Sequence, residues 1–264
     1  MLPQIINSII LGIIQGISEF LPISSTGHLI IIEKILGVSQ EKFGLSFDAA
    51  LHLGTAFAVF WFFWPQWKKI ISFKKNNKIG LYLLAATIPA ALIGVVFESK
   101  IETVLRSSQI VAYGLLAGSI IIFLAEKLGK KIENRKDITF WQSIIIGISQ
   151  SIALIPGISR SGITISTGMF AKLKRKDSAE FAFLLSGPII LGAGGKKLLE
   201  VAITFLDGDL TGNDILFFLV GMISAAIAGY FSIKILLKFL EHKSLNIFII
   251  YRILLAILIL LFIS

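Results

Sequence analysis

The sequence predicts an all-α integral membrane protein with six transmembrane helices and two re-entrant helical hairpins, arranged as an inverted-topology repeat. Three observations predict this fold class. The 264-residue chain is 55% hydrophobic and only 16% charged, whereas soluble domains are about 25% charged. Two of its long apolar stretches are interrupted by polar residues, Gly and Pro. Its Lys and Arg residues are concentrated in alternate loops, as in multi-pass membrane proteins.

Six apolar stretches are long enough to be membrane spans, which need roughly 20 residues to cross about 30 Å of hydrocarbon. They are residues 47–64, 79–97, 110–125, 179–206, 215–237 and 246–263. These stretches leave too little polar sequence for a soluble domain. We therefore expect one membrane domain that covers residues 1–264.

Two further apolar stretches, residues 5–32 and 140–171, contain polar residues at the depth where a simple span must be apolar. Irregular backbone is tolerated inside a membrane only where it is buried in protein or lines a wet cavity. Each stretch is therefore predicted to be a re-entrant hairpin, in which two short helices are joined by a polar turn.

The two hairpins also resemble each other in sequence. At an offset of 135 residues, eight of the nineteen positions from 12 to 30 are identical. Four of these matches are Ile in an Ile-rich chain, so the others carry more weight. The others are Gly12/Gly147, Gln15/Gln150, Ser24/Ser159 and Gly27/Gly162. Each half then consists of a hairpin and three spans, which predicts one repeat over about 1–125 and a second over about 140–264.

The loop charges predict the orientation of this repeat. Loops 65–78, 126–139, 172–178 and 234–243 together hold 17 Lys and Arg, whereas loops 33–46, 98–109 and 207–214 hold 4. By the positive-inside rule the first set is cytoplasmic. Because each half has three spans, the second half is inverted, both termini lie outside, and the two hairpin tips meet near the bilayer midplane.

Topology also explains the net charge of +9, since surplus Lys and Arg in cytoplasmic loops face anionic lipid. Nucleic acid is therefore excluded as a partner. The chain has no cysteine, which excludes disulfides, thiolate catalysis and cysteine metal sites.

The first hairpin tip carries a carboxylate, several hydroxyls and an imidazole. Gln15 and Glu19 are four residues apart and share one helix face, and Pro22 ends that helix. The residues that follow in the turn are Ser24, Ser25, Thr26 and His28. Such groups are costly inside a membrane unless they act or are paired. The alternative is a cluster in which Ser and Thr only hydrogen-bond to neighbouring helices.

The second hairpin tip carries Arg160, which is the only Arg or Lys between residues 140 and 171. A guanidinium presents a rigid fork of donors that suits phosphate oxygens. Ser159, Ser161 and Thr164 add hydroxyl groups, and a half-helix that starts here would favour an anion at its N-terminus. The alternative is that Arg160 neutralises Glu19 as a buried structural pair.

Together the two tips offer what hydrolysis of a phosphoanhydride needs. Arg160 and helix N-termini hold the charged oxygens, a hydroxyl or an imidazole attacks, and a carboxylate with a divalent cation offsets the developing charge.

Residues 19–28 (EFLPISSTGH) and 156–164 (PGISRSGIT) resemble the two signature motifs of the bacterial undecaprenyl-diphosphate phosphatase family, also called bacitracin-resistance proteins. The resemblance covers essentially the whole chain. It implies hydrolysis of undecaprenyl diphosphate to undecaprenyl phosphate and phosphate, which recycles the lipid carrier for cell-wall synthesis. It also implies a divalent cation (Mg²⁺ or Ca²⁺), a homodimer, and an active site open to the outer face of the bacterial plasma (inner) membrane.

The resemblance assigns roles residue by residue. Glu19, Ser25, His28 and Arg160 are the expected catalytic residues, and Glu19 with Gln15 the expected metal ligands. The expected substrate-binding residues are Ser24, Thr26, Ser159, Ser161 and Thr164. Gln15 leaves Glu19 as the only carboxylate of its motif, so Gln15 either binds the cation or only hydrogen-bonds. Ser25 is expected to attack while His28 takes its proton, or the two exchange roles.

The main alternative function is a transporter or flippase of polyprenyl phosphate or another anion, since secondary carriers also use inverted repeats with broken helices. A membrane scaffold without ligand chemistry is a third possibility. The nucleophile-bearing Ser-Ser-Thr-Gly-His run favours the enzyme, because a carrier does not need an attacking hydroxyl. Asp48 and His52, four residues apart, either support the site or lie near the interface, and Lys196 and Lys197 are expected to pack or bend the long span.

Overall fold

The computed structural model describes residues 2–38, 44–72, 78–103, 105, 107–129, 138–206 and 210–262, and these residues form eleven α-helices. The first hairpin is α1 (Leu2–Phe20) with α2 (Ser25–Leu36), and the second is α7 (Phe140–Ile152) with α8 (Arg160–Phe170). The remaining helices are α3 (Gly44–Phe62), α4 (Trp64–Ile71), α5 (Ile79–Thr103), α6 (Ser108–Leu128), α9 (Arg175–Leu206), α10 (Gly212–Leu240) and α11 (Asn246–Phe262).

Five of the six predicted spans each fall on one helix, and the sixth, 47–64, covers most of α3 and the start of α4. By length and composition, α5, α6, α9 and α10 can cross a membrane, and α3 with α4 adds a fifth candidate if the bent pair is one span. The helix α11 is apolar but shorter, with 17 residues. These helices expose many large apolar side chains, as expected of a protein that faces lipid. The chain is thus an integral membrane protein.

The predicted span 47–64 ends earlier than expected. α3 stops at Phe62, and the chain turns by 81° into α4. Pro65 lies in the first turn of α4, where a residue without an N–H group is tolerated. The bend follows from this proline, because Pro65 cannot donate the hydrogen bond that would continue α3.

Both predicted hairpins are pairs of helices joined by a short turn, and their turns end in the same way. Ser24 precedes α2 with a φ of 72°, and Ser159 precedes α8 with a φ of 74°. Positive φ is uncommon for residues other than glycine, and such strain clusters at functional sites. The two serines are equivalent at the 135-residue offset, so the sequence repeat is accompanied by a repeat in backbone conformation.

The hairpins are held by close helix contacts at glycines. On α1, a Cβ built on Gly12 would lie 2.4 Å from the carbonyl oxygen of Gly221, and one built on Gly16 would lie 2.6 Å from that of Ala225. Small residues four apart let two membrane helices approach this closely. The equivalent glycine of the second hairpin, Gly147, packs against Ala86 of α5 in the same manner.

Three of the four loops predicted to be cytoplasmic contact one another at one end of the molecule. Arg175 forms an ion pair with Glu126, and the Glu126 carboxylate also accepts a hydrogen bond from the backbone N–H of Leu245 at 2.8 Å. Lys176 lies 2.8 Å from Glu241. The segments that carry these residues therefore lie on the same side, as the loop charges predict.

Parts of the predicted loops lie outside the described residues, namely 39–43, 73–77, 104, 106, 130–137 and 207–209. Residue 1 and residues 263–264, at the predicted outer termini, also lie outside them.

Candidate active site

The tips of the two hairpins meet. A guanidinium nitrogen of Arg160, the first residue of α8, lies 2.5 Å from Oε1 of Glu19 near the end of α1. The hydroxyl of Ser161 donates to the carbonyl oxygen of Leu21 at 3.1 Å. Residues about 140 positions apart in sequence therefore form one polar cluster, and the predicted convergence of the tips is observed.

The Glu19 carboxylate is the centre of this cluster. It is 7% exposed, and its second oxygen, Oε2, accepts hydrogen bonds from Ser25 Oγ at 2.6 Å and from Gln15 Nε2 at 3.0 Å. A carboxylate at this distance from a hydroxyl is placed to take its proton. Glu19 thus links a potential nucleophile on the first hairpin to a cation on the second.

His28 hydrogen-bonds to groups other than Ser25. Its Nδ1 lies 2.7 Å from the carbonyl oxygen of Ser24, so this nitrogen is the donor, and its Nε2 lies 2.6 Å from the hydroxyl of Tyr251 on α11. Both ring nitrogens are therefore engaged away from Ser25. In this arrangement the group that can accept the Ser25 proton is Glu19, whereas the resemblance implied His28 or an exchange of roles between His28 and Ser25.

A cavity of about 370 Å³ opens beside the cluster, between the two tips. The predicted site residues in its wall are Glu19, Ser24, Ser25, Thr26, Ser159 and Arg160. Because α2 begins at Ser25 and α8 at Arg160, two helix N-termini lie in this wall, and their N–H groups and dipoles favour an anion.

Ser161 and Thr164, which were expected to bind substrate, are buried and hydrogen-bond to backbone. The Thr164 hydroxyl donates to the carbonyl oxygen of Arg160 at 2.7 Å. Together with the bond from Ser161 to Leu21, this contact indicates that the two hydroxyls stabilise the second tip and its contact with the first.

The cavity wall also contains Gln150 and Lys197, which the sequence did not assign to the site, and Asp48 and His52, for which support of the site was one of two alternatives. The His52 Nδ1 lies 3.0 Å from Gln15 Nε2 and 3.5 Å from Glu19 Oε2, so His52 supports the site, whereas Asp48 lines its cavity. Lys197 lies 3.0 Å from Glu200. The signals were the four-residue spacing of Asp48 and His52 and the match of Gln150 to Gln15.

Arg252 is the most deeply buried cation of the site region. It is 0% exposed on α11 and donates to the carbonyl oxygens of Pro22 at 3.1 Å, Gly157 at 2.9 Å and Ile158 at 3.0 Å. Further contacts go to α6, at Ser119 Oγ and the carbonyl oxygens of Gly114 and Leu115. Arg252 thus ties both tips to α6 and α11. Its position in an apolar span was the available signal, since ionisable residues there are functional by default.

The described ranges contain no group of three or more His, Asp or Glu side chains arranged to hold a metal ion. Gln15 turns its amide nitrogen toward Glu19, so these two residues do not present two oxygens to one ion. The predicted ligand pair therefore offers one carboxylate, with that of Asp48 elsewhere in the cavity wall, and such a set suits Mg²⁺ only when the ion is also bound by substrate phosphates.

Comparison with known proteins places the chain in a family. Residues 8–258 match the family described as bacitracin resistance protein BacA. The chain is 44% identical to the undecaprenyl-diphosphatase of Thermodesulfovibrio yellowstonii over 256 residues, which cover 97% of this chain and 96% of the relative. It is 39% identical to that of Moorella thermoacetica, again over 97% and 96% of the two chains, and 38% identical to that of Rubrobacter xylanophilus, over 96% of each. The chain therefore belongs to the BacA family of bacitracin resistance proteins.

Proposed function

We propose that this protein hydrolyses undecaprenyl diphosphate to undecaprenyl phosphate and phosphate in the cavity between the hairpin tips. The observation that carries the proposal is that Ser25, Glu19 and Arg160 form one hydrogen-bonded chain in the cavity wall. These are a nucleophile, a base and a phosphate-binding cation. The relatives named undecaprenyl-diphosphatase support the same activity and do not favour the transporter alternative.

The contacts suggest how the reaction proceeds. Ser25 Oγ attacks the terminal phosphorus and transfers its proton to Glu19 Oε2, while the phosphoanhydride bond breaks and undecaprenyl phosphate leaves with the bonding electrons. Glu19 then passes this proton to the departing undecaprenyl phosphate. A water then attacks the phosphoserine, Glu19 accepts its proton, and that proton returns to Ser25 Oγ as phosphate departs.

Arg160 stabilises the charge that develops on the phosphate oxygens. A guanidinium has five N–H donors, so Arg160 can contact the substrate without giving up its bond to Glu19. The N-termini of α2 and α8 add backbone N–H groups in the same wall. Preorganised donors of this kind are each worth about 10²–10³ in rate.

His28 is a positioning residue in this proposal, because its imidazole holds the carbonyl of Ser24, the strained residue directly before the nucleophile. A divalent cation, Mg²⁺ or Ca²⁺, is also part of the proposal. Glu19 would be its ligand from the protein, together with substrate phosphates, and the ion would offset phosphate charge. Gln15 would join it only if its amide turned its oxygen toward Glu19.

The activity is tested by measuring phosphate release from undecaprenyl diphosphate and farnesyl diphosphate with purified protein in detergent. We expect release by the wild-type protein and a loss of about 10²–10³-fold or more in Arg160→Ala, as for the removal of one preorganised donor. Lys176→Ala, which changes an ion pair far from the cavity, is the matched control and should retain activity. Substrate binding without phosphate release would instead support the transporter.

We further propose the predicted topology, with six spans, two re-entrant hairpins, two inverted repeats, outer termini and a site open to the outer face. Since the chain has no cysteine, single cysteines can report on it. Asn213→Cys lies on the predicted outer side and Lys243→Cys on the cytoplasmic side, and both positions are exposed. A membrane-impermeant maleimide should label the first in intact cells and the second only after permeabilisation. The reverse pattern would invert the orientation.

The homodimer is the last part of the proposal. Cross-linking in native membranes, followed by mass measurement in detergent, should give twice the mass of one chain. A monomer in both conditions would remove the dimer from the proposal and leave the site intact, since its described residues come from one chain.

A further inference from the structure

Gln150 is a buried side chain with unused hydrogen-bonding groups. It is 3% exposed at the end of α7 and lies in the wall of the cavity between the tips. Within the described part of the chain, neither its Nε2 nor its Oε1 has a hydrogen-bond partner. Buried polar groups are nearly always hydrogen-bonded, so an unpaired amide in a cavity wall indicates that a ligand bound in the cavity supplies the partner.

Comparison with Gln15, the equivalent residue of the first hairpin, shows why Gln150 has no hydrogen-bond partner within its own helix. Gln15 donates its Nε2–H to Glu19, four residues further along the same helix face. In the second hairpin the residue four positions after Gln150 is Leu154, which offers no acceptor. The amide nitrogen of this glutamine is therefore used internally in one repeat and is unpaired beside the cavity in the other.

The chemistry of the cavity limits what that partner is. Arg160 and the N-termini of two helices lie in the same wall, so the cavity favours an anion with several oxygens. An amide N–H donates well to a phosphate oxygen, and the amide oxygen accepts from a water or from a protonated phosphate.

We propose that Gln150 is a substrate-binding residue that donates its Nε2–H to a phosphate oxygen of the bound diphosphate. The proposal deepens the proposed function and rests on it for the identity of the substrate. The anion-binding role of Gln150 can be tested separately, because inorganic diphosphate can serve as the probe.

The test exploits the opposite effects that an unpaired binding group has on stability and on binding. Gln150→Met replaces the amide with an apolar chain of similar size, so the ligand-free protein should become more stable, with a Tm in detergent about 2–4 °C higher. The Tm increase that inorganic diphosphate causes in the wild-type protein should at the same time fall by at least about half. Gln150→Glu, which places a carboxylate next to the phosphate, should abolish this increase.

Gln15→Met is the matched control. Its Nε2 contacts both Glu19 and His52, although its Oε1 has no hydrogen-bond partner among the described residues, so loss of the amide should lower the Tm. In the kinetic assay we expect Gln150→Met to raise KM about tenfold, the effect of one lost hydrogen bond to a charged group, with a smaller change in kcat.

Two results would overturn the proposal. A lower Tm of Gln150→Met with an unchanged response to diphosphate would make Gln150 a packing residue. An unchanged Tm and an unchanged response would mean that water already pairs the amide. If the wild-type protein binds inorganic diphosphate through Gln150 but releases no phosphate from undecaprenyl diphosphate, the binding role stands and the proposed function fails.

Discussion

Arg252→Met tests whether the buried guanidinium holds the two hairpin tips in place. Methionine fills a similar volume in the apolar span but cannot donate a hydrogen bond. The substitution leaves the carbonyl oxygens of Pro22, Gly157 and Ile158 without the donor that now lies 2.9–3.1 Å from them. All three belong to the turns that carry the site.

The expected loss of stability follows from these contacts. Three hydrogen bonds from a charged donor are each worth about 1.5–3 kcal/mol. Part of this is recovered because the substitution also removes the desolvation penalty of a buried charge, so we expect a net cost of about 3–5 kcal/mol. For a chain of this size that corresponds to a decrease in Tm of roughly 10 °C.

The assay is thermal unfolding in detergent, combined with phosphate release measured well below the Tm. Arg252→Met should lower both the Tm and kcat, and Arg252→Lys, which keeps the charge but reaches fewer carbonyls, should lie between Met and the wild type. Gly118→Ala should have a related effect with the guanidinium still present, because its Cβ would lie 2.1 Å from an Arg252 nitrogen. A Tm and a kcat of Arg252→Met equal to those of the wild type would refute the bracing role.

Three further predictions concern the nucleophile, the His28 contact and helix packing. Ser25→Ala should lower kcat by at least about 10³-fold. Phosphate trapped covalently on the wild-type protein should map to residue 25, whereas phosphate on His28 would show that the imidazole is the nucleophile. Tyr251→Phe removes the hydroxyl 2.6 Å from His28 Nε2 and should lower kcat about fivefold, the effect of one hydrogen bond of about 1 kcal/mol, while leaving KM within twofold or so. Gly16→Ala should destabilise the protein by about 1–3 kcal/mol, because its Cβ would clash with Ala225. Gly192→Ala, whose Cβ would have nothing within 4 Å, should be neutral or stabilising by up to about 1 kcal/mol. Equal effects of the two substitutions on the Tm would contradict the packing argument.

The sequence was sufficient to predict the meeting of Glu19 and Arg160. Both lie in polar interruptions of apolar stretches, where solvation by lipid is impossible and irregular backbone must be buried or face a cavity. The 135-residue repeat, the loop charges and the three spans in each half then predicted that the two interruptions are related by inversion. Helix periodicity likewise placed Gln15 on the face of Glu19, and the structure shows that contact at 3.0 Å.

The sequence was not sufficient for contacts that depend on packing between distant helices. The family resemblance implied that Ser25 and His28 act as a pair, but α2 begins at Ser25 and directs the imidazole toward Tyr251 of α11. Periodicity gives the face of a residue but not which helix covers that face. For the same reason the carbonyl partners of Arg252 could not be predicted, although its isolation in an apolar span could be seen.

The central claim is that residues from both hairpins act as one catalytic unit, and a double-mutant cycle on Glu19 and Arg160 tests it most directly. Phosphate release from undecaprenyl diphosphate is measured for Glu19→Gln, Arg160→Met and the double variant. Because the two side chains contact each other at 2.5 Å, each single change should remove most of kcat/KM, and the double variant should lose little more than either one. Losses that multiply, as for two independent sites, would contradict the account.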